Sequence, residues 1–96
     1  MTAEFIVRPT RQFERTFDKL VRRHQALAAH YQRVIGILQA DPYNAGRSHP
    51  IKKLEDVPAG DGQYRIRAGR FRFRYDIEGQ TVYLKACSLR REDTYR

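Results

Sequence analysis

The sequence predicts an α+β fold in which two N-terminal antiparallel helices pack on one face of a small, mainly antiparallel four-stranded sheet. Apolar residues recur at helical spacing between residues 10 and 40, a period of two runs through residues 64–77, and a short turn then leads into a last apolar segment. A chain of 96 residues is long enough for one modest core. We therefore assign residues 1–96 to a single domain.

The first strand is predicted at residues 4–8 and ends at Pro9, whose nitrogen cannot donate to a sheet. Thr10 suits the N-cap of a first helix. The apolar positions of that helix are Phe13, Phe17, Leu20 and Val21. A strip of like charges, Arg11, Arg15 and Lys19, lies on another side of it. This strip is either a solvated helix face or a second anion-contacting surface.

A second helix is predicted from about Gln25 to Ala40. The apolar stripe of that helix consists of Leu27, Tyr31, Val34, Ile35 and Leu38. Asp41 ends it, because a residue that precedes proline avoids the helical conformation. The link near Arg23 and His24 is short, so we expect the two helices to be antiparallel neighbours that cover one face of the sheet.

Residues 64–77 alternate between apolar and charged side chains on either side of Gly69. The apolar set is Tyr64, Ile66, Ala68, Phe71, Phe73, Tyr75 and Ile77, and the basic set is Arg65, Arg67, Arg70, Arg72 and Arg74. Successive side chains of a strand point to opposite faces. We therefore expect the aromatic residues to lie in the core and the arginines to share the other face, where guanidinium groups suit phosphate oxygens.

The remaining segments are shorter. Residues 42–50 are predicted to be a loop, and residues 51–54 a short extended or turn segment. Glu78 and Gly79 form a two-residue hairpin signal ahead of a last strand at residues 81–88. In that strand we expect one face to hold Val82, Leu84 and Ala86 and the other to hold Tyr83, Lys85 and Cys87.

Charge and cysteine content restrict the function. The net charge of +8 and the pI near 10.2 favour an anionic partner, most simply nucleic acid, although a membrane surface or an acidic protein also fits. Cys87 is the single cysteine, so neither an internal disulfide nor a cysteine-based zinc site is possible. The N-terminus does not look like a secretion signal, and no apolar run reaches the length of a membrane span. We expect a cytoplasmic protein without cofactor or metal.

Several motifs follow one another in a specific order. They are F-E-R-T-F-D-K-L at residues 13–20, the pair Lys53–Leu54, Y-R-I-R at residues 64–67, F-R-F-R-Y-D-I-E-G at residues 71–79, and R-R-E-D-T-Y at residues 90–95. In this order and spacing the chain resembles, over essentially its whole length, the RelE/ParE superfamily of toxin–antitoxin toxins.

The resemblance implies a small toxin that a cognate antitoxin protein holds inactive. RelE-like members cleave mRNA in the ribosomal A site without a metal, so mRNA and the ribosome with its rRNA are the implied partners. ParE-like members share the fold and inhibit DNA gyrase without being nucleases. Because ParE-like chains commonly lose part of the basic set, its retention here favours a metal-independent endoribonuclease, with gyrase inhibition as the alternative.

The resemblance also implies site residues. The catalytic positions fall on Arg65, Arg67, Arg72, Arg91 and Tyr95, with Arg90 as the other choice for Arg91. Further RNA contacts are expected from Lys53, Arg70, Arg74, Lys85 and Arg90, although Arg70 and Arg74 suit structural or antitoxin contacts equally. Arginine stays protonated at working pH, so Tyr95 is the preferred general base and Lys53 or Lys85 the second choice.

Overall fold

The computed structural model describes residues 4–90 of the chain, which form two helices and five strands. In chain order these elements are β1 (Ile6–Pro9), α1 (Arg11–Arg23), α2 (Ala26–Ala40), β2 (Ile51–Lys53), β3 (Tyr64–Ala68), β4 (Phe71–Glu78) and β5 (Thr81–Leu89). No helix among the described residues is both long enough and apolar enough to cross a membrane.

The sheet is mixed and has the strand order β1-β5-β4-β3-β2. β1 runs parallel to β5, and the other neighbours are antiparallel. The prediction of an α+β fold with two helices is confirmed, but the prediction of four strands is wrong. The additional strand is β2, which we expected only as an extended or turn segment. It has three residues, too few for an alternating pattern, and it is a strand because its backbone pairs with β3.

The start of α1 is joined to the sheet by its cap. The Thr10 hydroxyl accepts from the backbone N–H of Phe13 at 3.2 Å, which confirms Thr10 as the N-cap. The same hydroxyl donates to the carbonyl of Leu84 at 2.7 Å, and the Thr10 N–H donates to that carbonyl at 3.1 Å. One residue therefore both begins the helix and fixes its first turn against β5.

The turn after α2 is stabilised by Asp41. Its N–H donates to the Ile37 carbonyl at 2.7 Å and closes the helix. Its carboxylate accepts from the N–H groups of Ala45 and Gly46 at 2.8 and 3.1 Å. These backbone hydrogen bonds, that of Ala45 foremost, hold the pKa of Asp41 below its ordinary value.

The core lies between the two helices and one face of the sheet. Its buried members include Phe13, Leu27, Val34, Leu38, Ile66, Phe71, Phe73, Tyr75, Val82 and Leu84. The prediction that the aromatic residues of β4 are core residues is thereby confirmed. The Tyr75 hydroxyl is satisfied inside the protein, because it donates to the Pro42 carbonyl at 2.7 Å, and burial raises its pKa well above the ordinary value.

A β-bulge in β5 reverses the predicted facing of its second half. Tyr75 pairs with Leu84 whereas Arg74 pairs with Ala86, so Lys85 is an additional residue between the two pairs. Cys87 consequently points into the core and is 2% exposed, and our assignment of Ala86 to the core face and Cys87 to the opposite face is wrong. Burial raises the pKa of the Cys87 thiol to about 12, which makes it a small apolar side chain and a poor nucleophile.

The β3–β4 turn contains Gly69 at φ +61°, in contact with α2. A Cβ at this position would lie 2.5 Å from Nε2 of His30, which also packs on the ring of Phe71. Gly79 has nearly the same φ, +59°, but a Cβ there would have no atom within 4 Å. The two glycines thus need the same backbone conformation and differ in their surroundings.

We expect Gly69→Ala to lower the free energy of unfolding by about 2 kcal/mol or more, because strain at positive φ is added to the clash with His30. Gly79→Ala should cost only the backbone strain, about 1 kcal/mol. Urea unfolding with unchanged m-values measures both losses. Equal losses in the two variants would show that the His30 contact contributes nothing.

Candidate functional site

The face of the sheet opposite the helices, here called the open face, brings several predicted residues together. Arg67 of β3 pairs with Arg72 of β4, and Arg65 pairs with Arg74 one row further along. Directly opposite residues of an antiparallel pair have Cβ atoms about 4.5–5.5 Å apart. The four arginines therefore form two neighbouring cross-strand pairs on one surface, as the alternation of residues 64–77 predicts.

The charges of this surface act on one another. Burial, and after it the positive charges of Arg72, Arg67 and Arg90, hold the pKa of Arg65 below its ordinary value. A guanidinium group remains protonated even so. We call Arg65, Arg67, Arg72 and Arg90 the arginine cluster. Its members repel each other, so the cluster is more favourable when an anion is bound among them.

Two donors of the arginine cluster are unsatisfied. The Nε atoms of Arg65 and Arg72 are buried and have no hydrogen-bond partner among residues 4–90. A buried donor without a partner typically costs about 1–3 kcal/mol, more when the group is charged. Phosphate oxygens accept from guanidinium groups in bidentate geometry. The unmet donors and the excess positive charge therefore both favour a phosphate ligand.

Arg74 and Asp76 hold a loop against the open face. Arg74 donates from Nε to the Gly62 carbonyl at 3.1 Å and from Nη2 to the Asp61 carbonyl at 2.9 Å. Asp76, which is 7% exposed, accepts from the N–H groups of Gly62 and Gln63 at 2.9 and 3.0 Å. The structural role that the sequence left open for Arg74 is thus present, and its role in RNA binding stays a prediction. Sequence reasoning did not identify Asp76 as a site residue, because a single acid in a basic strand does not indicate which backbone groups it binds.

Of the two neighbouring lysines of β2, Lys52 and not Lys53 shares the open face with the arginine cluster. Lys52 pairs with Arg65, whereas Lys53 pairs with Tyr64 on the helix side, where its Nζ lies 5.7 Å from the centre of the Tyr64 ring. We had expected an RNA contact from Lys53. The partly buried Ile51 indicates the facing, since a period of two puts Lys53 on the side of Ile51 and Lys52 on the other.

The other predicted residues are spread along the surface. Lys85 lies at the bulge of β5, half-buried, with its Nζ 6.0 Å from the centre of the Tyr83 ring. Arg70 is exposed in the β3–β4 turn, and its carbonyl accepts from the N–H of Arg90. Arg91 and Tyr95 lie outside the described residues, so their catalytic roles stay predictions. Within residues 4–90, no group of three or more His, Cys, Asp or Glu side chains could hold a metal ion.

The basic strip of α1 is exposed, which fits both a solvated helix face and a second anion-contacting surface. Arg11, Arg15 and Lys19 are all accessible, while the buried face of the helix includes Phe13. Both alternatives for the strip, solvated face and second anion contact, therefore stay predictions.

We expect inorganic phosphate to raise the melting temperature of the protein, since a ligand that binds only the folded state adds about 1.4 kcal/mol at ten times its Kd. Arg72→Gln should lose most of this gain because it removes a donor of the arginine cluster. Arg33→Gln is the matched control, with the same charge change on an exposed position of α2. Equal losses in both variants would assign the effect to general screening.

Comparisons with known proteins give one informative likeness. Neither the protein-family models nor the curated proteins include a match to this sequence. Among solved structures, the chain is similar to a chain in the crystal structure of the toxin–antitoxin complex RelBE2 from Mycobacterium tuberculosis. The identity is 27% and the TM-score 0.72, over 94% of this chain and 95% of that chain. The resemblance predicted from the motifs is thereby confirmed, since the chain is similar over nearly its whole length to a chain of a RelBE toxin–antitoxin complex, and this likeness supports a RelE-like toxin.

Proposed function

We propose that this protein is the toxin of a toxin–antitoxin pair and a metal-independent endoribonuclease that cleaves ribosome-bound mRNA and so inhibits translation. The observation that supports it most is the arginine cluster, with two buried unsatisfied donors, on the open face of a RelE-like fold. Because the proposed substrate is ribosome-bound mRNA, the protein would act in the cytoplasm.

RNA provides its own nucleophile for this reaction. The 2′-hydroxyl loses its proton to a base and attacks the adjacent phosphorus, the 5′ oxygen of the next nucleotide leaves as a hydroxyl after taking a proton from water, and a 2′,3′-cyclic phosphate remains. The protein has to align the strand and stabilise the additional negative charge of the pentacoordinate phosphorane. Arg65, Arg67 and Arg72 share one surface, and Arg65 and Arg72 each have an unsatisfied donor, so we assign this stabilisation to the three arginines.

Proton transfer needs groups other than the arginines, which do not lose their protons at working pH. We assign Tyr95 as the general base, on the hypothesis that guanidinium groups brought next to its phenol would favour the phenolate and lower its pKa. Arg91 would add to the charge at the phosphate. Lys85 is the better of the two alternative bases, since it lies on the open face whereas Lys53 lies on the helix side.

The proposed antitoxin is an acidic or amphipathic chain. The solved structure that this chain resembles is itself a toxin–antitoxin complex. Carboxylates bind guanidinium groups with the same geometry as phosphates do. Expression of the chain together with its neighbouring reading frame, followed by purification through a tag on one of the two proteins, tests whether such a complex forms.

Arg72→Ala should lower the rate of mRNA cleavage in a translation extract about a hundred- to a thousandfold, the usual effect of removing one donor to a developing charge. Its melting transition should remain, because the side chain lies on the open face. Arg33→Ala removes the same charge from α2 and should cleave at the wild-type rate. Wild-type cleavage by Arg72→Ala would remove Arg72 from the mechanism.

Tyr95→Phe should lose at least a hundredfold in cleavage rate if the phenol transfers a proton in the transition state. The phenyl ring keeps the bulk of the side chain, so binding of uncleavable RNA should be retained. Full-rate cleavage by this variant would exclude Tyr95 as the base and make Lys85 the candidate. Cleavage by Lys85→Met then tests Lys85.

Gyrase inhibition is the alternative function within the superfamily. A DNA supercoiling reaction with purified gyrase and this protein separates the two functions, since a ribonuclease should leave supercoiling unchanged while it stops translation. Inhibited supercoiling together with intact mRNA would replace the proposed function by the alternative.

A further inference from the structure

A groove opens next to the arginine cluster, inside the loop between β2 and β3. Its volume is about 540 Å³, and its lining consists of Lys52, Lys53, Leu54, Glu55, Val57 and Arg74. Lys52 pairs with Arg65, and Arg65 pairs with Arg74, so the groove begins in the row of the sheet that contains the cluster. A nucleotide whose phosphate lies on the arginine cluster would therefore have its own or a neighbouring base within reach of the groove.

The guanidinium group of Arg74 is fixed in this groove. Its Nε and Nη2 donate to the carbonyls of Gly62 and Asp61, which hold the plane of the group in place. Gly62 allows this close packing, since a Cβ there would lie 3.0 Å from the Cβ of Arg74. A guanidinium plane whose edge is already engaged still offers its flat side, on which nucleobases stack. Leu54 and Val57, both half-buried, add apolar walls.

Among the described residues that line the groove, Glu55 is the one acid. The others are two lysines, Arg74 and two aliphatic side chains. A carboxylate only accepts hydrogen bonds, and its two oxygens can accept from two neighbouring N–H groups at once. Guanine has such a pair in its N1–H and its N2 amino group. Adenine, cytosine and uracil each place a single donor group on that edge, next to an acceptor that a carboxylate repels.

We propose that this groove is a guanine-binding subsite. In it Glu55 accepts from N1–H and the N2 amino group, Arg74 stacks on the base, and Lys52 contacts a phosphate between the groove and the arginine cluster. The meaning of the subsite rests on the proposed function, because it would set the base preferred next to the cleaved phosphate. The binding of a free nucleotide does not depend on cleavage.

The test is a titration of the full chain with GMP, AMP, CMP and UMP, followed by NMR. GMP should bind most tightly and shift the methyl signals of Leu54 and Val57. Glu55→Gln should lower the preference for GMP over AMP about five- to tenfold, the lower part of the range for a lost bidentate pair, because the side chain is exposed.

Asp56→Asn is the matched control. Asp56 is the next residue, does not line the groove, and has φ +63°, a conformation that asparagine tolerates. This variant loses the same charge as Glu55→Gln and should keep the GMP preference. Equal affinity for all four nucleotides, or an equal loss of preference in both variants, would overturn the proposal.

Cleavage of RNAs that differ in one base next to the cleaved bond separates this proposal from the proposed function. GMP binding that depends on Glu55, without any cleavage of RNA, would keep the subsite and refute the nuclease. Cleavage without base preference by a wild-type protein that binds all four nucleotides equally would keep the nuclease and refute the subsite. A guanine preference that Glu55→Gln weakens and Asp56→Asn retains would support both.

Discussion

The alternation of apolar and basic residues along β3 and β4 is the constraint on which the rest of the structure depends. Once Ile66, Phe73 and Tyr75 are buried beneath the helices, the intervening arginines can lie only on the open face. Burial of one large apolar side chain contributes about 1.5–3 kcal/mol, whereas like charges opposite each other across two strands cost about 0.2–1 kcal/mol. The core therefore sets the register, and the crowding of the guanidinium groups is its consequence.

The arginines of the open face differ in how their hydrogen-bond donors are satisfied. Arg74 is satisfied by the loop carbonyls, and Asp76 next to it compensates charge and fixes the same loop. In the arginine cluster, Arg65 and Arg72 instead have buried Nε atoms that no other described residue accepts from. The satisfied and the unsatisfied arginines are consequently neighbours, since Arg65 pairs directly with Arg74. An anion would therefore be directed to Arg65 and Arg72 rather than to Arg74.

Sequence patterns predicted what depends on long, regular periods. The two helices, the Thr10 cap and the aromatic face of β4 were confirmed, because each involves many residues or a well-defined local hydrogen bond. β2 and the bulge at Lys85 were missed because both arise from pairing with other strands. Neither the three residues of β2 nor the one additional residue of β5 indicates that pairing in the sequence.

Within the candidate site the same distinction holds. The shared surface of Arg65, Arg67 and Arg72 follows from the period of two and was predicted. The engagement of Arg74 and Asp76 with residues 61–63 depends on how a ten-residue loop folds back, which the sequence does not show. Sequence motifs therefore identified the charges, while the structure was needed to separate those that are satisfied from those that are not.

The unsatisfied donors also explain how one surface could serve both proposed partners. An antitoxin carboxylate and an RNA phosphate would both accept hydrogen bonds from the same guanidinium groups, so binding of one would exclude the other at the arginine cluster. In the proposed function, a carboxylate bound at Arg65 and Arg72 would therefore inhibit the protein by occupying the phosphate site. The mutual repulsion of these arginines destabilises the free protein. The same positive charge would make the protein both active on RNA and dependent on an acidic partner.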